Sequence, residues 1–179
     1  MTLLLIRHGA THLNETRRFQ GWSDPPLSPK GRRSVEAMAS TLPPLSPDVP
    51  VHVSDLRRAR ETARILFPHV AHRVDARLRE LHFGQFEEWT ADEAAAGEPE
   101  AWARWMADPA EAPPPDGESL RHFQARVRGW FEAELIPGEA AVVVAHGGTL
   151  GFLLELLNVD RAVPAPGEAV ELSPNETNP

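Results

Sequence analysis

The stretch LLLIRHG, residues 3–9, is an unbroken apolar run that ends in an arginine, a histidine and a glycine. A short run with no polar alternation is the pattern of a strand buried on both faces. We place that strand over Leu3–His8. Its counterpart is AAVVVAH, residues 140–146, which also closes on a histidine and is followed by two glycines. Between them VHVSD (Val51–Asp55) reads as a short strand, and a weaker one lies near His72–Val74. Helical stripes fill the intervals. Ser28 before Pro29 is an N-cap followed by a helix-starting proline, with Val35, Met38, Ala39 and Leu42 recurring at helical spacing. Leu56, Ala59, Ala63 and Leu66 form a second stripe, and residues 91–107 a third helix. Ser119 caps a helix carrying Leu120, Phe123, Val127 and Phe131, and Thr149–Leu157 is a short apolar helix. Val170–Leu172 is expected as a last edge strand. Strands alternating with helices imply an α/β fold with a largely parallel sheet covered on both faces.

The chain's 179 residues suit a single domain, 1–179, with a sizeable core. A hydrophobic fraction of 41% and a charged fraction of 25% are those of an ordinary globular protein. The net charge of −8 argues against a general nucleic-acid partner, which needs a basic face. Having no cysteine excludes disulfides, thiolate catalysis and cysteine-bound metals. No apolar run reaches membrane-spanning length, and the N-terminal run is too short for a signal sequence. A soluble, cytoplasmic protein with no membrane partner is expected, as a monomer or homodimer. The 18 prolines cluster in loops, and residues from about 173 to 179 read as a frayed tail.

In parallel sheets, ligands bind beyond the carboxyl ends of the strands. Those ends carry Arg7-His8-Gly9, then Ser54-Asp55 with Arg57 and Arg58 behind it, and finally His146-Gly147-Gly148. The loop after the weak third strand adds Arg79 and Glu80. Taken singly, each has a plain structural reading: a strand-end histidine, a solvated arginine face on a helix, a surface carboxylate. Together they place two histidines, at least two arginines and a carboxylate at one sheet edge. That set suits phosphate. Guanidinium groups bind phosphate oxygens bidentately and keep a neighbouring imidazole neutral, so that its free nitrogen can attack phosphorus. The carboxylate can then protonate a leaving alkoxide.

The segments LLLIRHGATHLNETRRFQGWSDPPLSPKG, VSDLRRARETA, LRELHFGQFEEW, PDGESL and VVVAHGGTL, in this order, resemble the histidine phosphatase superfamily, the phosphoglycerate-mutase-like fold. The resemblance implies a three-layer αβα sandwich with a mostly parallel sheet and a small helical, lid-like insertion at about 88–118. It implies His8 as the nucleophile, Arg7, Arg58 and His146 around the phosphoryl oxygens, and Glu80 as proton donor. Asn14, Gln20, Gly21 and the Gly147 backbone fall where substrate contacts are expected. No cofactor and no metal are implied, and the expected partner is a small-molecule phosphomonoester. Within the superfamily, the chain looks most like the small α-ribazole-5′-phosphate phosphatases of cobalamin biosynthesis. Phosphoglycerate mutase or broad-specificity sugar phosphatase is the alternative, although the mutases' tyrosine-bearing motif is missing and the chain has no tyrosine. Ala10, Glu88 and Gly151 depart from common family residues, glycine being frequent at the position of Glu88. Trp102 and Trp105 suit packing in the core or lid, or one of them shaping the leaving-group pocket. Rival readings fare worse: there is no HExxH zinc motif, no G-x-S-x-G elbow and no P-loop.

Overall fold

The computed structural model describes residues 3–136, 139–173 and 176, so the tail expected to fray falls largely outside the described residues. Five strands form one sheet: β1 (Leu3–Arg7), β2 (Val51–Ser54), β3 (His72–Asp75), β4 (Ala141–Ala145) and β5 (Ala169–Leu172), in the order β3-β2-β4-β1-β5. All neighbours are parallel except β5, which pairs antiparallel to β1. The helices are α1 (His12–Glu15), α2 (Pro29–Ala39), α3 (Arg57–Leu66), α4 (Ala91–Gly97), α5 (Pro99–Ala107), α6 (Leu120–Glu134) and α7 (Gly147–Leu156).

The apolar runs alternate between two cores, as strand geometry demands. Leu3, Leu5, Val143 and Ala145 face α6 and α7, meeting Phe123, Val127, Trp130, Leu150 and Leu153. Ile6, Val142, Val144, Val51 and Val53 face the other way, onto Ala59 and Ala63 of α3. Each of the valine, leucine and isoleucine side chains contributes roughly 1.5–3 kcal/mol on burial. A third, aromatic cluster lies under α4 and α5, where Phe86, Ala94, Ala101 and Trp105 pack with Phe19, Phe83, Trp89 and Trp102.

Local chemistry sets the helix starts. Ser28 caps α2 by accepting from the Gly31 N–H, with Pro29 in the first turn. Ser119 caps α6, as its position in the sequence suggests. The expected helix 91–107 is two helices, because Pro99 lacks an N–H and begins a new element after Gly97. The four-residue α1 has no sequence signal beyond its capping box, in which Thr11 and Asn14 each accept from the other's backbone N–H. Strand ends also shift slightly: His8, Asp55, Ala140 and His146 lie just outside their strands, while α7 begins at Gly147 rather than Thr149. Trp105 is buried and Trp102 half-buried. The structure turns them into the aromatic cluster, with ring centroids 5.4 Å apart and Phe19 and Phe86 beside both.

Candidate active site

The β1–β4 register pairs Arg7 with Ala145, so the next residue of each strand, His8 and His146, emerges side by side. The His8 N–H bonds the Ala145 carbonyl at 3.0 Å, and the two imidazole centroids lie 5.1 Å apart. Both rings are buried. Parallel pairing thus brings two segments far apart in sequence to one point.

His8 is fixed in one tautomer. Its Nδ1 lies 2.8 Å from the Gly9 carbonyl, which can only accept, so Nδ1 carries the proton. Nε2 keeps its lone pair, and Arg58 Nε donates to it at 3.2 Å. Burial, reinforced by the charges of Arg58 and Arg7, holds the imidazole well below the usual histidine range, so it is neutral at neutral pH. The Gly9 N–H donates to Thr62 Oγ1, whose hydroxyl donates to the Arg58 carbonyl. That bridge ties the histidine turn to α3.

Arg58 is fully buried, whereas Arg57, Arg60 and Arg64 on the same helix are not; one of four similar residues is thus selected by its helical phase. Its guanidinium donates to the carbonyls of Ser23 (2.8 Å), Gly21 (2.7 Å) and Gln20 (3.4 Å). Burial lowers its pKa to about 10, with Glu80, Asp24 and Glu87 opposing, and the group stays cationic. Arg7 is lowered by burial and supported by the Glu80 charge; it donates to the Pro164 carbonyl, while its Nε has no partner.

His146 Nε2 lies 2.8 Å from Ser54 Oγ at the end of β2, and its Nδ1 is buried without a partner. Burial, with Arg58 next, keeps this ring neutral as well. Buried polar atoms without partners are rare, and each calls for an explanation such as a ligand position. Here Arg7 Nε and His146 Nδ1 belong to residues converging on the same strand ends.

Glu80 lies at the amino end of α7. Its Oε2 accepts from the Gly148 N–H at 2.8 Å and its Oε1 from the Leu81 N–H at 2.9 Å. A β-carbon on Gly148 would fall 2.4 Å from Oε1, and one on Gly147 would fall 3.0 Å from the Arg7 guanidinium carbon. These glycines let the acid and the arginine approach the helix terminus.

The expected substrate contacts are placed less directly. Asn14 Oδ1 is engaged by Thr11, and Gln20 Oε1 by the Thr11 hydroxyl, leaving Gln20 Nε2 buried and unpartnered. Gly21 offers its carbonyl to Arg58. Five further residues were given no role from sequence, although all but Arg126 lie in the segments that carry the resemblance: Ser54, Thr62, Glu87, Glu118 and Arg126. Arg126 pairs with Glu118 and donates to the carbonyls of Arg77, Arg79 and Glu80, bracing the segment that carries the acid. Among the described residues, no group of three or more His, Asp and Glu side chains is arranged to hold a metal ion, and no helix is long and apolar enough to cross a membrane.

The sequence profile of the histidine phosphatase superfamily, branch 1, matches residues 3–165. A 2,3-bisphosphoglycerate-dependent phosphoglycerate mutase of Gloeobacter violaceus is 32% identical over 179 residues, covering 95% of this chain and 80% of that protein. Among solved structures, the α-ribazole phosphatase of Shigella flexneri superposes with a TM-score of 0.84 at 25% identity, over 97% of this chain and 90% of that one. A protein of Thermus thermophilus gives 0.76 at 35% identity, over 96% and 93%. The chain belongs to the histidine phosphatase superfamily and is an enzyme of its phosphatase and mutase class.

Proposed function

We propose that the protein is a phosphomonoester hydrolase that works through a phosphohistidine on His8. The observation that carries this reading is the tautomer lock: Nδ1–H is held by the Gly9 carbonyl, and the lone pair on Nε2 lies among permanent cations. In the first step Nε2 attacks phosphorus, the ester P–O bond breaks, and Glu80 gives a proton to the departing oxygen. In the second, water attacks the phosphohistidine, the P–N bond breaks, and the Glu80 carboxylate takes the water's proton. Arg7, Arg58 and His146, the last through Nδ1–H when Ser54 donates to Nε2, stabilise charge on the phosphoryl oxygens in both steps. The guanidinium clamp supplies the positive charge, so hydrolysis of an aryl phosphate should persist in excess EDTA.

The narrower reading is hydrolysis of α-ribazole-5′-phosphate, supported by likeness to the Shigella phosphatase over nearly the full length of both chains. The phosphoglycerate mutase relative favours the second reading, phosphoryl exchange between phosphoglycerates. Rapid quench with ³²P-labelled ester should trap an acid-labile, base-stable phosphoenzyme that is absent in His8→Ala. An acid-stable adduct, or a burst retained in His8→Ala, would overturn the mechanism. Release of inorganic phosphate across a panel of phosphomonoesters, set against phosphoglycerate isomerisation, separates the two readings.

A further inference from the structure

The carboxylate of Glu87 lies in none of the catalytic positions, yet it accepts four backbone N–H groups. Gly21 donates to Oε2 at 3.0 Å, Ser23 to Oε2 at 3.1 Å, Trp22 to Oε1 at 2.7 Å and Phe83 to Oε1 at 3.0 Å. Three of these belong to the loop whose carbonyls hold Arg58. In the peptide unit joining Gly21 to Trp22, the N–H points to Glu87 and the C=O receives Arg58 Nη2 at 2.7 Å. The unit joining Gln20 to Gly21 does the same, with its C=O at 3.4 Å. Two consecutive peptide dipoles therefore run from a carboxylate to a guanidinium, each aligned with the field between the charges. Such chains polarise and strengthen one another. No side chain could serve in place of Gly21, because a β-carbon there would lie 2.0 Å from the Leu81 carbonyl oxygen.

We infer that Glu87 is the positioning residue for Arg58: by fixing residues 20–23 it aims the guanidinium at His8 Nε2 and at the phosphoryl group. The inference rests on the phosphatase reading for its kinetic consequence and on geometry alone for its structural one. Without the carboxylate, the loop amides would turn to water and their carbonyls would no longer form one cradle. Arg58 would lose its aim while keeping its charge. A misplacement of about 1 Å at a reacting centre costs up to about 100-fold in rate.

The test is a double-mutant cycle with Glu87→Gln and Arg58→Ala, with Glu87→Asp as a variant that keeps the charge and withdraws it by one methylene. If Glu87 acts through Arg58, Glu87→Gln lowers kcat/KM by about 10–100-fold in the parent and by less than about 3-fold in Arg58→Ala. The inhibition constant of inorganic phosphate should rise in parallel. Equal losses in both backgrounds, or no loss in the parent, would overturn the proposal. An NMR titration of His8 provides a readout independent of turnover, the ionisable groups facing the ring being Arg58, Arg7 and His146. Moving Arg58 away should raise the His8 pKa in both Glu87 variants, whereas an unchanged titration in folded variants contradicts the proposal. If no phosphomonoester is turned over but His8 shifts as expected, the phosphatase reading fails and the positioning role stands.

Discussion

At the scale of single residues, the proposed mechanism gives His8 and Glu80 separable roles. His8→Ala removes the covalent route and should be nearly inactive on every ester. Glu80→Gln removes proton transfer alone, worth about 10²–10⁴-fold, and only where the leaving oxygen needs a proton. We therefore expect a severe loss on alkyl phosphates and a much smaller one on p-nitrophenyl phosphate, measured as kcat/KM when phosphate release is not limiting; equal losses on both would remove Glu80 from the acid role. A second prediction concerns Glu88, one of the departures from family usage. Its φ is +67°, a left-handed conformation that disfavours side chains, and its backbone is pinned by Glu88 N–H to the Phe19 carbonyl and by Arg18 to its own carbonyl. The glycine that the family resemblance implies at this position is thus the residue this backbone prefers. Relief of roughly 1–2 kcal/mol of left-handed strain exceeds the extra unfolded-state entropy of glycine. Glu88→Gly should raise Tm by about 2 °C in a thermal melt, with kcat unchanged.

At the scale of elements, the short motifs at the strand ends were legible in the sequence because each lies next to an apolar run whose period announces a strand. His8 and His146 were placed this way; Glu80 came from the loop after a weak strand, and only the family resemblance singled out Arg58 from Arg57. What stayed hidden is what further residues do through backbone groups: Glu87 and Thr62 lie within the segments that carry the resemblance but bond to main-chain atoms, as does Arg126, so no side-chain pattern shows their task. The tryptophans of α5 left two uses open for a related reason, since an apolar face looks the same whether it meets a ligand or another ring, and they pack in the aromatic cluster. Because Trp105 fills the aromatic cluster, Trp105→Ala should cost about 3–5 kcal/mol in denaturant unfolding and lower rates on all substrates alike. A change in substrate ranking would return it to the leaving-group pocket. The start of α7 allows a subtler experiment. Gly148→Ala adds a methyl whose nearest neighbours are the end of the Glu80 side chain, so the helix should tolerate it while the carboxylate is displaced. We expect an unchanged Tm and the substrate profile of Glu80→Gln, read in the same two assays.

For the whole molecule, three buried imidazoles set the response to acid. His8, His146 and His52 all have folded-state pKa values below the ordinary histidine value of 6.5, burial being the first cause in each. The unfolded chain therefore binds more protons than the native one as pH falls through about 6.5, and stability must fall with it. Above that pH their contribution is constant. Asp75, lowered by its hydrogen bonds to Arg77, adds a further loss only in the carboxylate range. Urea unfolding between pH 8 and pH 5 should show a falling midpoint, and a flat profile would contradict neutral burial of these rings. The strand order has a consequence of another kind, in time rather than energy. β1 leaves the ribosome before the other strands, yet both its neighbours in the sheet, β4 and β5, begin only at Ala141 and Ala169. The Gly167 N–H even closes on the His8 carbonyl. An apolar strand that leads directly into His8 must thus wait, unpaired, for most of the domain to follow, a non-local closure of the kind that makes folding slow and exposes chains to aggregation. Nascent chains arrested before residue 141 should remain sensitive to protease along residues 3–9, and protection of that segment should appear only once β4 has emerged.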